Sequence, residues 1–85
     1  MSSFVYLVQE PMGLHARPVG MLVKQLKNYA CDIQVICGKR QADAKRLFAV
    51  MGMAVKCGET VTVVFTGEDE QEAYKETKIF FEKNF

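Results

Sequence analysis

The sequence predicts one α+β domain over residues 1–85, with a four-stranded sheet that carries its helices on one face. Alternating apolar and polar stretches are interleaved with stretches of helical periodicity, which gives the order β-α-β-β-α-β-α. The chain has 85 residues, of which 49% are hydrophobic, enough for one core but too few for two domains. Amphipathic helices in this order are buried most simply when all of them pack on the same face of the sheet.

The first strand and the first helix are predicted on either side of a proline- and glycine-containing turn. Residues 4–8 are apolar and β-prone, and Pro11 and Gly13 follow them. From residue 16 to about residue 28 apolar side chains recur at helical spacing, and Pro18 falls in the first turn, where its missing N–H costs nothing. The predicted core face of this helix consists of Val19, Leu22, Val23 and Leu26.

A hairpin and a short helix are predicted in the middle of the chain. Residues 32–37 alternate in polarity, and after Gly38 the polar residues 40–43 form the second arm. Residues 47–55 are apolar and predict a short second helix, with Gly58 as its stop signal.

The last strand and the last helix are predicted from a change of periodicity at Gly67. Residues 60–66 alternate as a strand. The acidic residues 68–70 then open a helix, because negative side chains interact favourably with the positive end of the helix dipole. Its predicted core face consists of Ala73, Thr77, Phe80 and Phe81.

Charge is divided unequally along the chain. Lys and Arg number 11 against 10 Asp and Glu, a formal net charge of +1 that argues against a strong nucleic-acid binder. However, seven of the bases and only three of the acids lie in residues 1–46, whereas four bases and seven acids follow. A basic first half fits either complementary surfaces within the fold or a site for an anionic ligand or an acidic partner.

Several classes of protein are not favoured by the sequence. No stretch approaches the roughly 18 to 20 apolar residues that cross a bilayer, and no signal peptide is recognisable, so we expect a cytoplasmic protein without membrane insertion. Cys31, Cys37 and Cys57 form no Cys-x-x-Cys pair, which predicts reduced, semi-buried thiols rather than disulfides or a zinc site. No motif indicates a cofactor or a metal ion.

The single histidine, His15, stands immediately before the first helix. The unpaired amides of Ala16 and Arg17 and the guanidinium of Arg17 would form an anion site there. A neutral imidazole nitrogen beside them can attack a phosphoryl group, whose charge the same donors would stabilise. The alternative is an ordinary turn histidine that bonds locally before a proline-started helix, and the residues alone do not decide between the two.

The hexapeptide at residues 13–18, GLHARP, resembles the active-site motif of HPr, the histidine-containing phosphocarrier of the bacterial phosphoenolpyruvate-dependent sugar phosphotransferase system. The resemblance extends to length, element order, residues 43–45 before the second helix and residues 67–73 at the last one. It implies an open-faced β-sandwich of four antiparallel strands under three helices. It also implies a carrier rather than an enzyme, phosphorylated on Nδ1 of His15 by enzyme I and delivering the phosphoryl group to the IIA domain of a sugar permease.

The second helix holds more apolar residues than one face of a short helix can bury, which predicts an exposed patch that marks an interface. The resemblance assigns Leu47, Phe48 and Met51 to the patch that docks on enzyme I and IIA, and Val50 and Met53 to the core. The alternative that all five lie in the core remains open.

Basic residues flank this predicted patch. Lys24 and Lys27 share one side of the first helix with Arg17, and Lys45 and Arg46 precede the second helix. They would steer an acidic partner towards the patch, although a charged stripe is also typical of a merely solvated face. We expect the protein to be a monomer.

Arg46 departs from the family pattern, because HPr proteins usually carry there a serine that an ATP-dependent kinase phosphorylates in many Gram-positive bacteria. A serine-linked role in catabolite repression is therefore not expected. Two other functions remain open: an HPr-like regulatory module that binds a protein without relaying phosphate to sugar, and a small domain that binds an inorganic or metabolite anion at the helix start.

Overall fold

A computed structural model describes all residues from Met1 to Phe85. The elements follow the predicted order, which is confirmed: β1 (Ser2–Leu7), α1 (Ala16–Leu26), β2 (Asp32–Cys37), β3 (Arg40–Asp43), α2 (Leu47–Gly52), β4 (Thr60–Thr66) and α3 (Glu70–Asn84). The hairpin arms and β4 have the predicted bounds. β1 begins and ends earlier than predicted, and α1 ends at Leu26.

The four strands form one antiparallel sheet in the order β1-β4-β2-β3. Gly38 turns the β2–β3 hairpin with a positive φ of 61°, which suits the first position of a tight hairpin turn. Alternate residues of β2 and β4, such as Val35 and Val63, are buried beneath the helices, whereas Val5 on the other face of β1 is 67% exposed. The predicted fold, an open-faced β-sandwich with three helices on one face, is confirmed.

The helices bury the predicted faces with one exception. All four predicted core residues of α1 are buried. In α3, Ala73, Thr77 and Phe81 are buried, whereas Phe80 is only half-buried and packs against the edge of the core. Phe85, the C-cap residue of α3, is also buried, and its ring centroid lies 5.0 Å from that of Phe81.

α2 is shorter than predicted, because the chain leaves the helix well before Gly58. The amides of Met53 and Ala54 bond back to the carbonyls of Val50 and Met51, each at 3.1 Å. Ala54 then adopts a left-handed backbone with φ of 51°. This conformation ends the helix at Gly52, so the expectation of a helix over residues 47–55 is wrong at its C-terminal end.

The acidic cluster before α3 ties two distant segments together. The Asp69 carboxylate, at the N-cap of α3, accepts hydrogen bonds from the backbone amides of Ala30 at 2.7 Å and Cys31 at 2.9 Å. Gly67 lies beside them, since a Cβ there would stand 2.7 Å from Cys31. The helix begins at Glu70, and Asp69 connects its start to the α1–β2 turn in addition to the dipole effect that was predicted.

Asp69 should make the stability of the fold depend on pH. Its hydrogen bonds from Ala30 and Cys31 hold the pKa of the carboxyl below its ordinary value. The resulting stabilisation is complete above the ordinary pKa of about 4 and is lost as pH falls through the lower pKa of the folded state. We expect Asp69→Asn to unfold at lower urea concentration at pH 7, and to lose less stability than wild type between pH 7 and pH 2.

Glu68→Gln is the matched control for this prediction, because Glu68 is an exposed neighbour on the same turn. It should leave the urea midpoint at pH 7 unchanged. An Asp69→Asn protein that follows the acid unfolding curve of the wild type would contradict the role of the carboxylate.

The three cysteines are free thiols that differ in exposure. Cys31 and Cys37 are buried, whereas Cys57 is exposed, so the expectation of a semi-buried Cys57 is wrong. Burial is the main cause that raises the pKa of Cys31 to about 11, and this thiol is therefore neutral at physiological pH.

None of the three helices combines the length and the apolar character that crossing a bilayer requires.

Candidate functional site

His15 is the N-cap residue of α1, with an extended backbone at φ −97° and ψ 168°. Its carbonyl accepts the first helical hydrogen bond, from the amide of Val19 at 3.1 Å, while its side chain makes no capping bond. Pro18 has no N–H, so the amides of Ala16 and Arg17 are the ones left without an intrahelical acceptor. The two backbone donors expected at this helix start are thus available to an anion beside the imidazole.

An open depression of about 290 Å³ surrounds the half-buried His15 side chain. Its wall brings His15 and Arg17 together, as the hexapeptide predicted. The other lining residues are Glu10, Pro18, Met21, Lys83 and Asn84. Lys83 is a second cation at this depression, and Glu10 is the one carboxylate that lines it.

Lys83, Asn84 and Glu10 were missed by sequence reasoning. They reach the depression because the carbonyl of Phe85, after the end of α3, accepts the amides of Gln9 at 2.6 Å and Glu10 at 2.7 Å. No local pattern signals this meeting of the β1–α1 loop with the other end of the chain. A basic residue in the last turn of α3 was the only hint, and it has an ordinary explanation in the helix dipole.

The loop before His15 rests on the segment that follows α2. Gly13 has a φ of 67°, and a Cβ at this position would overlap with the carbonyl oxygen of Val55. The next amide, of Leu14, donates to the same oxygen at 3.1 Å, and the Leu14 side chain is buried. Because the amide of His15 also bonds to the Gly13 carbonyl at 3.0 Å, the position of the histidine depends on this close contact.

We call the shallow groove beside the start of α2 the candidate docking surface. It has a volume of about 400 Å³ and is lined by Val23, Lys27, Lys45, Arg46, Leu47, Phe48 and Ala49. Phe48 is 86% exposed and Leu47 is half-buried. Met51, which was predicted in the same patch, is half-buried and does not line the groove. Val50 and Met53 are buried, as the resemblance implied. The exposure of Phe48 contradicts the alternative in which all five apolar residues form core.

The basic residues at this surface are not equivalent. Lys27 and Lys24 are exposed, and Lys24 does not line the groove. The side chain of Arg46 is 78% exposed, with Nε 3.9 Å from Asp43. In contrast, Nζ of Lys45 donates to the carbonyl of Tyr29 at 2.6 Å. The ammonium of Lys45 therefore joins the end of α1 to the start of α2, a structural contact that the prediction of a flanking charge did not include.

No group of three or more His, Cys, Asp or Glu side chains is placed to hold a metal ion. The chemical groups at the depression are an imidazole, a guanidinium, an ammonium, a carboxylate, a side-chain amide and backbone amides.

Similarity to known proteins extends over nearly the whole chain. Residues 2–83 match the family model described as the PTS HPr component phosphorylation site. The phosphocarrier protein HPr of Mycoplasma capricolum is 32% identical over 92% of this chain and 88% of its own length.

Solved structures are similar as well. A mycoplasma histidine-containing phosphocarrier protein has a TM-score of 0.91 at 30% identity, covering 93% of this chain and 90% of its own. The catabolite repression protein Crh of Bacillus subtilis, an intertwined dimer with a swapping domain, has a TM-score of 0.77 at 29% identity, with 98% and 95% coverage.

Proposed function

Because this chain belongs to the HPr family of phosphocarrier proteins, we propose that His15 accepts a phosphoryl group from phosphorylated enzyme I and passes it to the IIA domain of a sugar permease. The observation that carries the proposal is the placement of His15 at the N-cap of α1, beside Arg17 and two amides that lack an intrahelical acceptor. The protein then acts as a stoichiometric carrier in a relay, and the chemical steps occur within its complexes with the two partners.

In the accepting step, a neutral ring nitrogen of His15 attacks phosphorus, the new N–P bond forms and the bond to enzyme I breaks. The family resemblance points to Nδ1 as that nitrogen. The phosphoryl oxygens then lie near the amides of Ala16 and Arg17 and the Arg17 guanidinium, which stabilise their charge. In the second step a nucleophile of IIA attacks the same phosphorus and the imidazole leaves.

The openness of the depression suits a group that has to leave again. A deep, fully charged pocket would hold the phosphoryl group too tightly, because binding the intermediate strongly raises the barrier to the next step. Glu10 at the rim adds one negative charge that opposes the phosphoryl group, while Lys83 and Arg17 attract it.

The candidate docking surface supplies the proposed contact with both partners. Phe48 offers an exposed aromatic anchor, and Lys27 and Arg46 surround it with positive charge, which favours an acidic partner surface. Arg46 places a cation at this position, whereas a serine in its place would become negative when phosphorylated. Both the depression and the candidate docking surface are accessible on a single chain, so the proposal is for a monomer.

Labelling with radioactive phosphoenolpyruvate tests the whole relay. With enzyme I present, the label should move to this protein, and on addition of IIA it should move further. A wild-type protein that stays unlabelled with a competent enzyme I would refute the phosphocarrier function. A labelled protein that cannot pass the phosphoryl group to IIA would instead favour the regulatory module. The structural similarity to Crh is the observation that favours this second function.

Phe48→Ala should weaken docking without weakening the fold. Phe48 is 86% exposed, so its removal costs no core packing, whereas loss of an aromatic anchor at an interface costs about 1.4 kcal/mol or more, or about ten-fold in affinity. We expect the KM of enzyme I for this protein to rise about ten-fold, with the melting temperature unchanged.

Val5→Ala is the matched control, because Val5 is an apolar residue that is 67% exposed on the open face of the sheet. It should leave the KM unchanged. Equal effects of the two substitutions, or a Phe48→Ala protein with wild-type KM, would place the contact with enzyme I elsewhere.

A further inference from the structure

Arg40, at the start of β3, reaches over the end of α2 with its guanidinium. Nη1 donates to the carbonyl of Met53 at 2.7 Å and lies 3.5 Å from that of Ala54. Nη2 forms an ion pair with Glu59. The planar fork of one arginine thus joins the two ends of the connection between α2 and β4, which we call the 53–59 segment.

Glu59 fastens its end of the segment through both its side chain and its backbone. The second carboxylate oxygen accepts the amide of Lys56 at 2.9 Å. The backbone carbonyl of Glu59 accepts the amide of Val8 at 3.0 Å, and the amide of Gly58 returns to the Val8 carbonyl at 2.8 Å. The amide of Lys56 and then Arg40 hold the pKa of the Glu59 carboxyl below its ordinary value, so the carboxylate is charged at neutral pH.

The middle of the same segment supports the loop that carries His15. The Val55 carbonyl oxygen accepts the amide of Leu14, and Gly13 lies against this oxygen without room for a Cβ. One residue earlier, Ala54 holds a φ of 51°, which is unfavourable for a residue with a side chain. Such a conformation persists only where the surrounding contacts impose it. Arg40 contacts Met53, on the N-terminal side of Ala54, and Glu59, at the other end of the segment.

We propose that Arg40 is a positioning residue for phosphoryl transfer. Through Met53 and Glu59 it holds the 53–59 segment in the shape on which Gly13 and Leu14 rest, and this shape sets the place of His15 relative to Arg17 and the helix amides. The inference rests on the proposed function of His15.

The expected loss of rate in an Arg40 variant follows from the sensitivity of phosphoryl transfer to the position of the reacting groups. A displacement of about 1 Å at a reacting group can cost about a hundred-fold in rate. Because the hydrogen bond from Leu14 and the burial of its side chain remain in an Arg40 variant, we expect a smaller loss, of about ten-fold in the kcat of phosphorylation by enzyme I. Lysine keeps the charge but has no planar fork, so Arg40→Lys should recover only part of this loss.

The experiment compares Arg40→Ala, Arg40→Lys and Glu59→Gln with the control Lys39→Ala, an exposed residue on the adjoining hairpin turn. Phosphorylation by enzyme I is measured at a temperature where circular dichroism shows every variant to be folded. Amide chemical shifts of residues 13–17 are recorded on the same proteins by NMR. We expect kcat to fall in the Arg40 and Glu59 variants with little change in KM, together with shifted amides at residues 13–17. Lys39→Ala should change neither.

Three results would overturn the inference: an unchanged kcat in folded Arg40 variants, a lower kcat with unchanged amide shifts at residues 13–17, or a rise in KM alone, which would assign Arg40 to docking. If Arg40→Ala does not fold, kcat and the amide shifts of Glu59→Gln are compared with those of Lys39→Ala instead. A wild-type protein that enzyme I does not label would contradict the proposed function instead, while the amide shifts still report whether Arg40 holds the loop.

Discussion

Replacing His15 by alanine should abolish phosphoryl acceptance from enzyme I, reducing the label on the protein to background. No second histidine exists in the chain to take over. The His15 side chain is half-buried and makes no capping hydrogen bond. We therefore expect the free energy of unfolding to stay within about 0.5 kcal/mol of wild type. Complete loss of labelling with an intact fold is the result expected of the phosphoryl acceptor itself, whereas a residue that only stabilises the group would leave slow labelling.

The chemistry of the adduct gives this prediction a second measurement. A phosphohistidine is labile in acid and stable in base, so the wild-type label should disappear at low pH and survive at high pH. If the label survives acid, or if the His15→Ala protein is labelled as fast as wild type, the phosphoryl acceptor is a side chain other than His15.

Arg17→Ala is the partner experiment, since Arg17 is exposed and its proposed role is to stabilise the phosphoryl group without bonding to it covalently. Removal of one donor from such a site costs about a hundred-fold or more in rate. The variant should still become labelled, but slowly, and its stability should be normal.

The simple anion-binding domain predicts a different result for the wild-type protein. It would bind inorganic phosphate at the helix start, and enzyme I would leave it unlabelled.

Gly13→Ala should be the most destabilising single-methyl change at the site. A left-handed backbone costs a residue with a Cβ about 1–2 kcal/mol, and the contact with the Val55 carbonyl adds about 1–3 kcal/mol. A total of about 2–5 kcal/mol corresponds to a fall of about 8–40 °C in melting temperature for a domain of this size. Labelling of His15 should slow as well, because the loop has to move away from Val55 to make room.

Gly20→Ala is the matched control for this prediction. Gly20 lies inside α1 without a positive φ, and a Cβ there would meet nothing within 4 Å. Alanine should raise stability by about 0.5–1 kcal/mol through its better helix propensity. A Gly13→Ala protein with wild-type melting temperature would show that the loop accommodates a methyl group and that the contact is not required.

The elements and their buried faces were predictable because they depend on local periodicity. The helical spacing of Val19 and Leu22 in α1 and the alternating polarity of β4 each indicate which side chains face the core. These side chains become buried when the helices pack on the sheet. The pairing of His15 with Arg17 was predictable for the same reason. Both residues belong to one helix start, whose amides and dipole are set by backbone geometry alone.

Features that depend on distant partners needed the tertiary structure. α2 ends where Ala54 takes a left-handed backbone that no local propensity favours, next to the Met53 carbonyl that accepts a hydrogen bond from Arg40. Lys83 reaches the depression of His15 only because α3 folds back onto the β1–α1 loop. Local sequence encodes periodicity and capping, which involve near neighbours. Contacts between residues far apart along the chain depend on how the elements pack, and packing is decided by the whole core at once.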